Sequence, residues 1–201
     1  MIGVIDYGIN NISSVTSFLN RQGLTFARVR DTKNLMNCEK LILPGVGAFK
    51  KGMENLEELK LPQSIVRFAS SGRPILGICL GMQLLFDSSE ENGFSQGLGI
   101  IRGKVERINN GARARVHMGW NNLILARKSR ILDEDLAKLD VYFAHSYHCV
   151  PIDSTLIVAH CEFDGSIVAA IEHDNIFGLQ FHPEKSQISG IKILENFAKL
   201  K

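Results

Sequence analysis

The chain has 201 residues, 45% of them hydrophobic and 22% charged, which is enough for a full hydrophobic core, and we expect a single domain over residues 1–201. The formal net charge of +2, from 23 basic and 21 acidic residues, argues against nucleic-acid binding, which would show a clustered basic excess. No apolar run approaches the roughly 18 residues needed to span a bilayer, and no basic leader opens the chain, so we expect a cytoplasmic protein without membrane contact.

The first half of the chain alternates short apolar segments with segments of helical periodicity. The predicted strands are 2–5, 26–29, 41–43 and 74–79, and the predicted helices are 10–22, a segment that begins at Pro62 and ends before Gly72, and 80–86. Such alternation favours a mostly parallel sheet covered by helices on both faces.

The second half, from Gly99 onward, has a different pattern. The predicted strands 100–108, 123–125, 141–144, 156–163, 167–171 and 176–181 follow one another closely, and 188–200 is a predicted amphipathic helix. Asp164 and Gly165 predict a hairpin turn between two of these strands. We therefore predict an α/β fold whose mostly parallel central sheet is flanked by helices and extended by partly antiparallel strands in the C-terminal half.

A G-x-C-x-G sequence at residues 77–81 follows a predicted apolar strand and precedes a predicted helix. This is the setting of a nucleophile elbow, with Cys79 in the place of the usual serine. The N–H groups and dipole of the following helix would favour a thiolate there. A buried, inert cysteine is the alternative, and the local residues alone leave both open.

A cysteine nucleophile needs a base and a group that orients the base. His182 follows a predicted strand, and Glu184 lies two residues further, on the same side if the backbone stays extended. A solvated loop histidine beside a surface glutamate is the alternative. His145 and His148 raise the possibility of a metal site, but no H-E-x-x-H sequence or set of carboxylates accompanies them, so we predict no metal and no cofactor.

A P-G-V-G sequence at residues 44–47 follows another predicted strand. Its backbone N–H groups could cradle a phosphate, but the lysine and hydroxyl spacing of a P-loop is missing. An oxyanion hole is the use that we favour, because such N–H groups can face a developing negative oxygen.

The three motifs occur in the order P-G-V-G, G-I-C-L-G-M-Q and H-P-E, which resembles the class-I, or triad, glutamine amidotransferases. The sequences H-M-G-W-N at 117–121 and Q-F-H-P-E-K-S at 180–186 resemble, within that family, the glutaminase subunits of imidazole glycerol phosphate synthase from histidine biosynthesis. This resemblance extends over nearly the whole chain.

The resemblance implies a catalytic triad of Cys79, His182 and Glu184 that hydrolyses L-glutamine to glutamate and ammonia. Cys79 would attack the side-chain amide carbon, and His182, oriented by Glu184, would act as base and then as acid. The implied oxyanion donors are Val46, Gly47 and Leu80. The implied glutamine-binding residues are Gln83, Glu91, His145, Ser146 and Tyr147.

The same resemblance implies a heterodimer with a (β/α)₈-barrel synthase or cyclase subunit that receives the ammonia. The implied interface residues are Asn11, His117, Trp120 and Lys185. Two positions near this face depart from the family pattern, since Asn10 replaces a glycine and Val116 replaces a proline. Two alternatives therefore stay open: a paralogue that feeds ammonia to a barrel acting on a sugar, and a non-catalytic subunit that stabilises a partner.

Overall fold

The computed structural model describes residues 1–8, 12–108, 115–138 and 140–200. Its strands are β1 (Ile2–Ile5), β2 (Phe26–Val29), β3 (Lys40–Leu43), β4 (Ile75–Ile78), β5 (Phe86–Ser89), β6 (Ser95–Gln96), β7 (Ile101–Arg107), β8 (His117–Asn121), β9 (Ile124–Leu125), β10 (Val141–His145), β11 (Tyr147–Pro151), β12 (Ile157–Glu162), β13 (Ser166–His173) and β14 (Ile176–Leu179). Its helices are α1 (Ile12–Arg21), α2 (Thr32–Met36), α3 (Phe49–Glu58), α4 (Pro62–Ser70), α5 (Leu80–Leu84), α6 (Glu134–Ala137) and α7 (Gln187–Lys199), with 3₁₀ turns at Ser154–Leu156 and Pro183–Lys185.

The main sheet has the strand order β2-β1-β3-β4-β14-β13-β12-β9 in the described part of the chain. The first five strands are parallel, and β13, β12 and β9 continue the sheet in antiparallel pairs. Strands β1, β4 and β14 are buried at every position, which is the pattern of parallel strands covered on both faces. The predicted α/β fold class is confirmed.

Two hydrophobic clusters fill the two faces of this sheet. On one face, Phe18 of α1 and Phe197 of α7 pack in a cluster that includes Phe177 of β14. On the other face, Phe49 of α3 and Phe68 of α4 pack in a cluster that includes Leu41 of β3 and Ile75 of β4. Burial of these large apolar side chains is the dominant favourable term that holds the helices on the sheet.

The strand order also explains where a site can form. Strands β3, β4 and β14 are parallel neighbours, with Leu43 opposite Gly77 and Ile78 opposite Leu179. Their carboxyl ends therefore meet at one edge of the sheet, which is where α/β folds place ligands. The residues that follow these ends are the P-G-V-G segment, Cys79 and the Q-F-H-P-E segment.

Several elements differ from their predicted bounds. Helix α5 ends at Leu84, because the chain turns there into β5, which pairs with β7 and β6 in a separate four-stranded sheet with β11. Strands β8 and β11 and helix α3 were not predicted from the sequence. None of the described helices is long and apolar enough to cross a membrane.

Candidate active site

Cys79 lies between β4 and α5 with φ 53° and ψ −110°, a conformation that a non-glycine residue rarely adopts. Its backbone N–H donates to the carbonyl of Leu179 at 2.7 Å, which ties the turn to the end of β14. Residues held in such strained conformations cluster at functional sites. The strand-to-helix turn that the G-x-C-x-G sequence predicts is therefore present, with the cysteine at its sharpest point.

The two glycines of that sequence are required by close backbone packing. A Cβ atom on Gly77 would lie 2.7 Å from the carbonyl oxygen of Gly81 and from the backbone of Met82. A Cβ atom on Gly81 would lie 1.7 Å from the carbonyl oxygen of Leu43, on the neighbouring strand β3. Any side chain at either position would push the turn away from the sheet.

His182 and Glu184 form a buried pair beside Cys79. The Nδ1–H of His182 donates to Oε1 of Glu184 at 2.8 Å, and the two side chains are 1% and 0% exposed. The backbone does not stay extended as expected, because His182 caps the 3₁₀ turn Pro183–Lys185. This turn, with the N–H of His182 bonded to the carbonyl of Tyr142 at 2.8 Å, brings the pair together.

Opposing effects act on the pKa of His182. Burial lowers it, but hydrogen bonds to Cys79 and Glu184 and the charges of both partners outweigh burial and raise the pKa to about 9. Because Glu184 takes the Nδ1–H, the other ring nitrogen is the one that meets the thiol. The three side chains therefore have the order nucleophile, base and orienting carboxylate.

A cavity of about 370 Å³ opens in front of Cys79, a size in the range of small-molecule sites. We call it the cysteine pocket, and its lining residues are Val46, Gly47, Ala48, Cys79, Leu80, Gln83, Glu91, Val116, Met118, Ala144, His145, Ser146 and Tyr147. All of the predicted oxyanion and glutamine-binding residues are in this set.

Both ends of the P-G-V-G segment are anchored. Near its start, the buried hydroxyl of Tyr7 donates to the carbonyl of Pro44 at 2.7 Å. Burial, and then the charge of Cys79, raise the pKa of Tyr7, so the hydroxyl keeps its proton and remains a donor. Just beyond its end, Oε2 of Glu91 accepts from the N–H of Phe49 at 2.6 Å and caps α3. Tyr7 was not among the predicted site residues, and its D-Y-G sequence was the available signal.

A chain of hydrogen bonds leads from the pocket to β8. Nδ1 of His145 lies 2.8 Å from the carbonyl oxygen of Tyr147, and Nε2 of His145 lies 3.1 Å from Nδ1 of His117. Nε2 of His117 in turn lies 3.2 Å from the amide nitrogen of Asn121. A carbonyl can only accept, so His145 donates from Nδ1, His117 donates from Nδ1 to His145, and Asn121 donates to His117.

This direction requires both imidazoles to be neutral. Burial lowers the pKa of His145 to about 3 and that of His117 to about 4. The ring of His117 is stacked between Phe143 and Phe163 at centroid distances of 4.3 and 4.2 Å. With an exposure of 3%, His117 is an interior residue, and any contribution to a partner interface would be indirect.

The outer side of β8 is apolar and exposed. Met118 is 69% exposed and Trp120 49%, and Val116 just before the strand is 55% exposed. The ring of Trp120 lies edge-on to Tyr142 at 5.8 Å, and Nζ of Lys185 lies 5.4 Å from the centre of the same Tyr142 ring. The predicted interface residues Trp120 and Lys185 thus share one surface, whereas Asn11 lies outside the described residues.

Comparison with known proteins places this geometry in a family. The profile described as glutamine amidotransferase class-I matches residues 3–200. The imidazole glycerol phosphate synthase subunit HisH of Geobacillus thermodenitrificans is 46% identical over 202 residues, covering 98% of this chain and 94% of that protein. The HisH subunit of Aquifex aeolicus is 46% identical, covering 98% and 95%.

A longer relative and two solved structures extend the comparison. The chloroplastic imidazole glycerol phosphate synthase hisHF of Arabidopsis thaliana is 40% identical over 98% of this chain, which spans 34% of that protein. A glutamine amidotransferase crystal structure has a TM-score of 0.76 at 19% identity and covers 98% of each chain. The structure of PurLQS from Thermotoga maritima has a TM-score of 0.74 at 22% identity, covering 98% and 96%. At these identities the two structures show the shared fold alone.

Proposed function

Because this chain belongs to the class-I glutamine amidotransferase family, we propose that it is the glutaminase subunit of an imidazole glycerol phosphate synthase. It hydrolyses L-glutamine to glutamate and ammonia, and a (β/α)₈-barrel cyclase subunit uses the ammonia in histidine biosynthesis. The observation that carries the chemistry is the buried His182, which is hydrogen-bonded both to Glu184 and to Cys79, the cysteine that lines the pocket. The full-length identity to subunits of that name supports the histidine-pathway acceptor rather than a sugar.

The reaction follows from the order of these three side chains. The thiolate of Cys79 attacks the side-chain amide carbon of glutamine and forms a C–S bond. The imidazolium of His182 protonates the leaving nitrogen, the C–N bond breaks, and ammonia departs from a glutamyl thioester. Water then attacks the thioester, His182 takes its proton, and the C–S bond breaks to release glutamate and restore the thiolate.

We assign the oxyanion donors to the N–H of Leu80 and the Val46–Gly47 segment. Leu80 is the residue directly after the nucleophile, which supplies one donor in elbow-type hydrolases. Val46 and Gly47 line the same pocket as Leu80. Both donors would meet the oxygen on which negative charge develops as the C–S bond forms.

The amino-acid end of glutamine is assigned to other polar groups that line the pocket. The carboxylate of Glu91 suits the α-ammonium group, and Gln83, Ser146 and Tyr147 offer amide and backbone groups. Two hydrogen bonds hold the Tyr147 carbonyl in place: one from Nδ1 of His145 and one from the amide of Gln83, at 2.9 Å.

A cytoplasmic location suits the four free thiols, because disulfides are rare in reducing compartments.

The partner is assigned to the surface of Trp120, Met118 and Lys185. Val116 and Met118 line the cysteine pocket and are also exposed at the outer side of β8. A subunit docked there would cover the pocket opening and receive ammonia before water protonates it. Exposed aromatic and methionine side chains are enriched where proteins associate.

The test separates glutamine-dependent from ammonia-dependent synthesis in the complex with a barrel cyclase subunit. The Cys79→Ala complex should lose imidazole glycerol phosphate formation from glutamine and keep it with high added ammonia. Glutamate release by the unchanged complex is the positive control. Absence of both product and glutamate from the unchanged, assembled complex would contradict the proposed function, and product from a sugar acceptor would redirect it.

A further inference from the structure

A buried glutamine that is not among the lining residues of the cysteine pocket lies against the nucleophile. Gln180 follows β14, is 0% exposed, and its backbone N–H donates to the carbonyl of Ala169 at 2.9 Å. Its Nε2 lies 3.8 Å from Sγ of Cys79, within the reach of an N–H···S hydrogen bond. Its Oε1 lies 3.1 Å from Nε2 of Gln83.

The orientation of the Gln180 amide follows from its neighbours. Nε2 of Gln83 also lies 2.9 Å from the carbonyl oxygen of Tyr147, which can only accept. The NH₂ group of Gln83 therefore donates to that carbonyl and to Gln180, so Gln180 must present its oxygen to Gln83. The NH₂ group of Gln180 then faces Sγ of Cys79, because the reverse orientation would set the NH₂ groups of Gln180 and Gln83, two donors, against each other.

We propose that Gln180 is a further residue of the catalytic site, which donates a hydrogen bond to the thiolate of Cys79 and connects it to Gln83. This role rests on the proposed glutaminase function. Sγ of Cys79 then accepts hydrogen bonds from two side chains, His182 and Gln180. A hydrogen bond to a charged acceptor is stronger than one between neutral groups, so the contact stabilises the thiolate form of Cys79.

The connection has a kinetic consequence. With 0% exposure, Gln180 has no surface from which to touch bound glutamine, and Gln83 keeps its other hydrogen bond, to the Tyr147 carbonyl, so loss of Gln180 should leave KM nearly unchanged. The fraction of molecules with a correctly held thiolate should fall, which lowers kcat. Hydrogen bonds to charged groups are strong enough for a loss of about tenfold or more.

The experiment uses Gln180→Met, which keeps the length of the side chain and removes both polar atoms. In the complex with the barrel subunit we expect kcat for glutamine to fall about tenfold or more, with KM within about twofold. The matched control is Ser64→Ala, which removes the hydrogen bond of another buried polar side chain, to Thr32, but on α4. It should keep the kcat of the unchanged complex.

A second readout does not depend on turnover. Iodoacetamide modification of Cys79 at pH 7, followed by mass spectrometry of the peptide, should be severalfold slower in Gln180→Met than in the unchanged chain and in Ser64→Ala. Iodoacetamide modifies Cys79 whether or not the chain hydrolyses glutamine, so this rate tests the role of Gln180 independently of the proposed glutaminase function. Unchanged or faster modification, or an unchanged kcat, in a variant with an unchanged melting temperature overturns the role of Gln180.

A second variant covers the case in which Gln180→Met does not fold. Gln180→Glu keeps the size of the side chain and an oxygen toward Gln83, and it replaces the N–H donor by a second oxygen next to the sulfur. We expect it to lower kcat at least as much and to slow the modification of Cys79. Full activity in this variant would equally overturn the proposal.

Discussion

Cys79 differs from the other three cysteines in access as well as in position. It lines the cysteine pocket, whereas Cys38, Cys149 and Cys161 are 1%, 0% and 0% exposed. Burial raises the pKa of each of those three thiols, that of Cys161 to about 12, and that of Cys149 also through the charge of Cys79. Thiols that are both buried and protonated are poor nucleophiles.

A glutamine-analogue electrophile should therefore label Cys79 alone. Peptide mapping by mass spectrometry should find one modified cysteine, and Cys79→Ser should abolish both labelling and glutamine hydrolysis. The matched control is Cys161→Ser, which changes a buried thiol outside the pocket and should still be labelled at Cys79. A label on Cys38, Cys149 or Cys161 in the folded chain would contradict the assignment of the nucleophile.

The second prediction at the residue scale concerns the pKa of His182. Glu184→Gln replaces a charged acceptor by a neutral one, so the pKa of His182 should fall from about 9. Turnover should fall less than in His182→Ala, because an orienting group sets the tautomer without transferring a proton. NMR titration of the imidazole in both proteins measures the shift, and an unchanged pKa in Glu184→Gln would contradict it.

The raised pKa also makes stability depend on pH. The folded value of about 9 lies above the ordinary histidine value of 6.5. The contribution of this protonated histidine to the free energy of unfolding is therefore complete below pH 6.5 and is lost as the pH rises through 9. Glu184→Gln should shrink that pH-dependent part, which urea unfolding at pH 6 and pH 9.5 can measure.

Single residues were predictable where they form a motif and hidden where they act from the interior. The G-x-C-x-G and H-P-E sequences pointed to Cys79, His182 and Glu184 because glycine and proline mark the turns that such groups need. Gln180 and Tyr7 also lie in motifs, Q-F-H-P-E-K-S and D-Y-G, but nothing local in those sequences indicates what the two side chains contact. Their roles depend on which strands are neighbours, since each contacts a group far away in the chain.

At the scale of elements, the buried parallel strands were predictable and the site-lining strands were not. Strands β1, β4 and β14 are continuous apolar runs, which mark burial on both faces. Strand β8 mixes His117, Gly119 and Asn121 with exposed apolar residues, so its pattern resembles neither a core strand nor a surface strand. Its inward polar residues are explained by the hydrogen-bond chain to the pocket.

The prediction at this scale tests the direction of that chain. Asn121→Asp replaces the donor next to His117 by an acceptor, so Nε2 of His117 would have to carry a proton while Nδ1 still donates to His145. The pKa of His117 should rise from about 4. NMR titration measures it, with Asn122→Asp as the control, because that exposed neighbour gains the same charge without the contact. An equal rise in both variants would indicate a general charge effect.

At the scale of the whole molecule, the sequence indicated an α/β sheet but not the order of its strands. Neighbours in the sheet such as β4 and β14 are about a hundred residues apart in the chain, and no local pattern specifies that pairing. That pairing is what brings Cys79 next to Gln180 and His182. The single domain over 1–201 and the interface role of Asn11 remain predictions.

The geometry of the P-G-V-G segment suggests how a partner bound at β8 could control the rate of glutamine hydrolysis. The segment is fixed at Pro44 by Tyr7 and beyond its end by the contact between Glu91 and Phe49. Gly45 is also packed, since a Cβ there would lie 2.4 Å from the Tyr7 hydroxyl oxygen. Gly47, in contrast, has φ +105° and no atom within 4 Å of its Cβ direction. The peptide between Val46 and Gly47 is thus the part that is free to turn.

Rotation of that peptide would add or remove one oxyanion donor, which is worth about 10²–10³ in rate. Partner docking at β8 would reach the same pocket through Val116 and Met118. We expect the barrel subunit with its own substrate bound to raise glutamine turnover by about that factor, mainly in kcat, because the donor acts in the transition state. Turnover is compared in the free subunit, the bare complex and the complex with the barrel's substrate, and equal rates in all three would mean that the site is preformed.

Gly47→Ala should reduce this activation, because alanine strongly disfavours the positive φ that one of the two peptide orientations needs. The matched control is Gly23→Ala, at the end of α1, where the glycine also has a positive φ, +65°, and no atom within 4 Å of its Cβ direction. Both substitutions place alanine at a positive φ, so both should lower the melting temperature, but Gly23→Ala should keep the ratio of activated to free turnover. A ratio that falls equally in the two variants would trace the loss to stability, and an unchanged ratio in a folded Gly47→Ala complex would rule out a turn at this peptide as the control point.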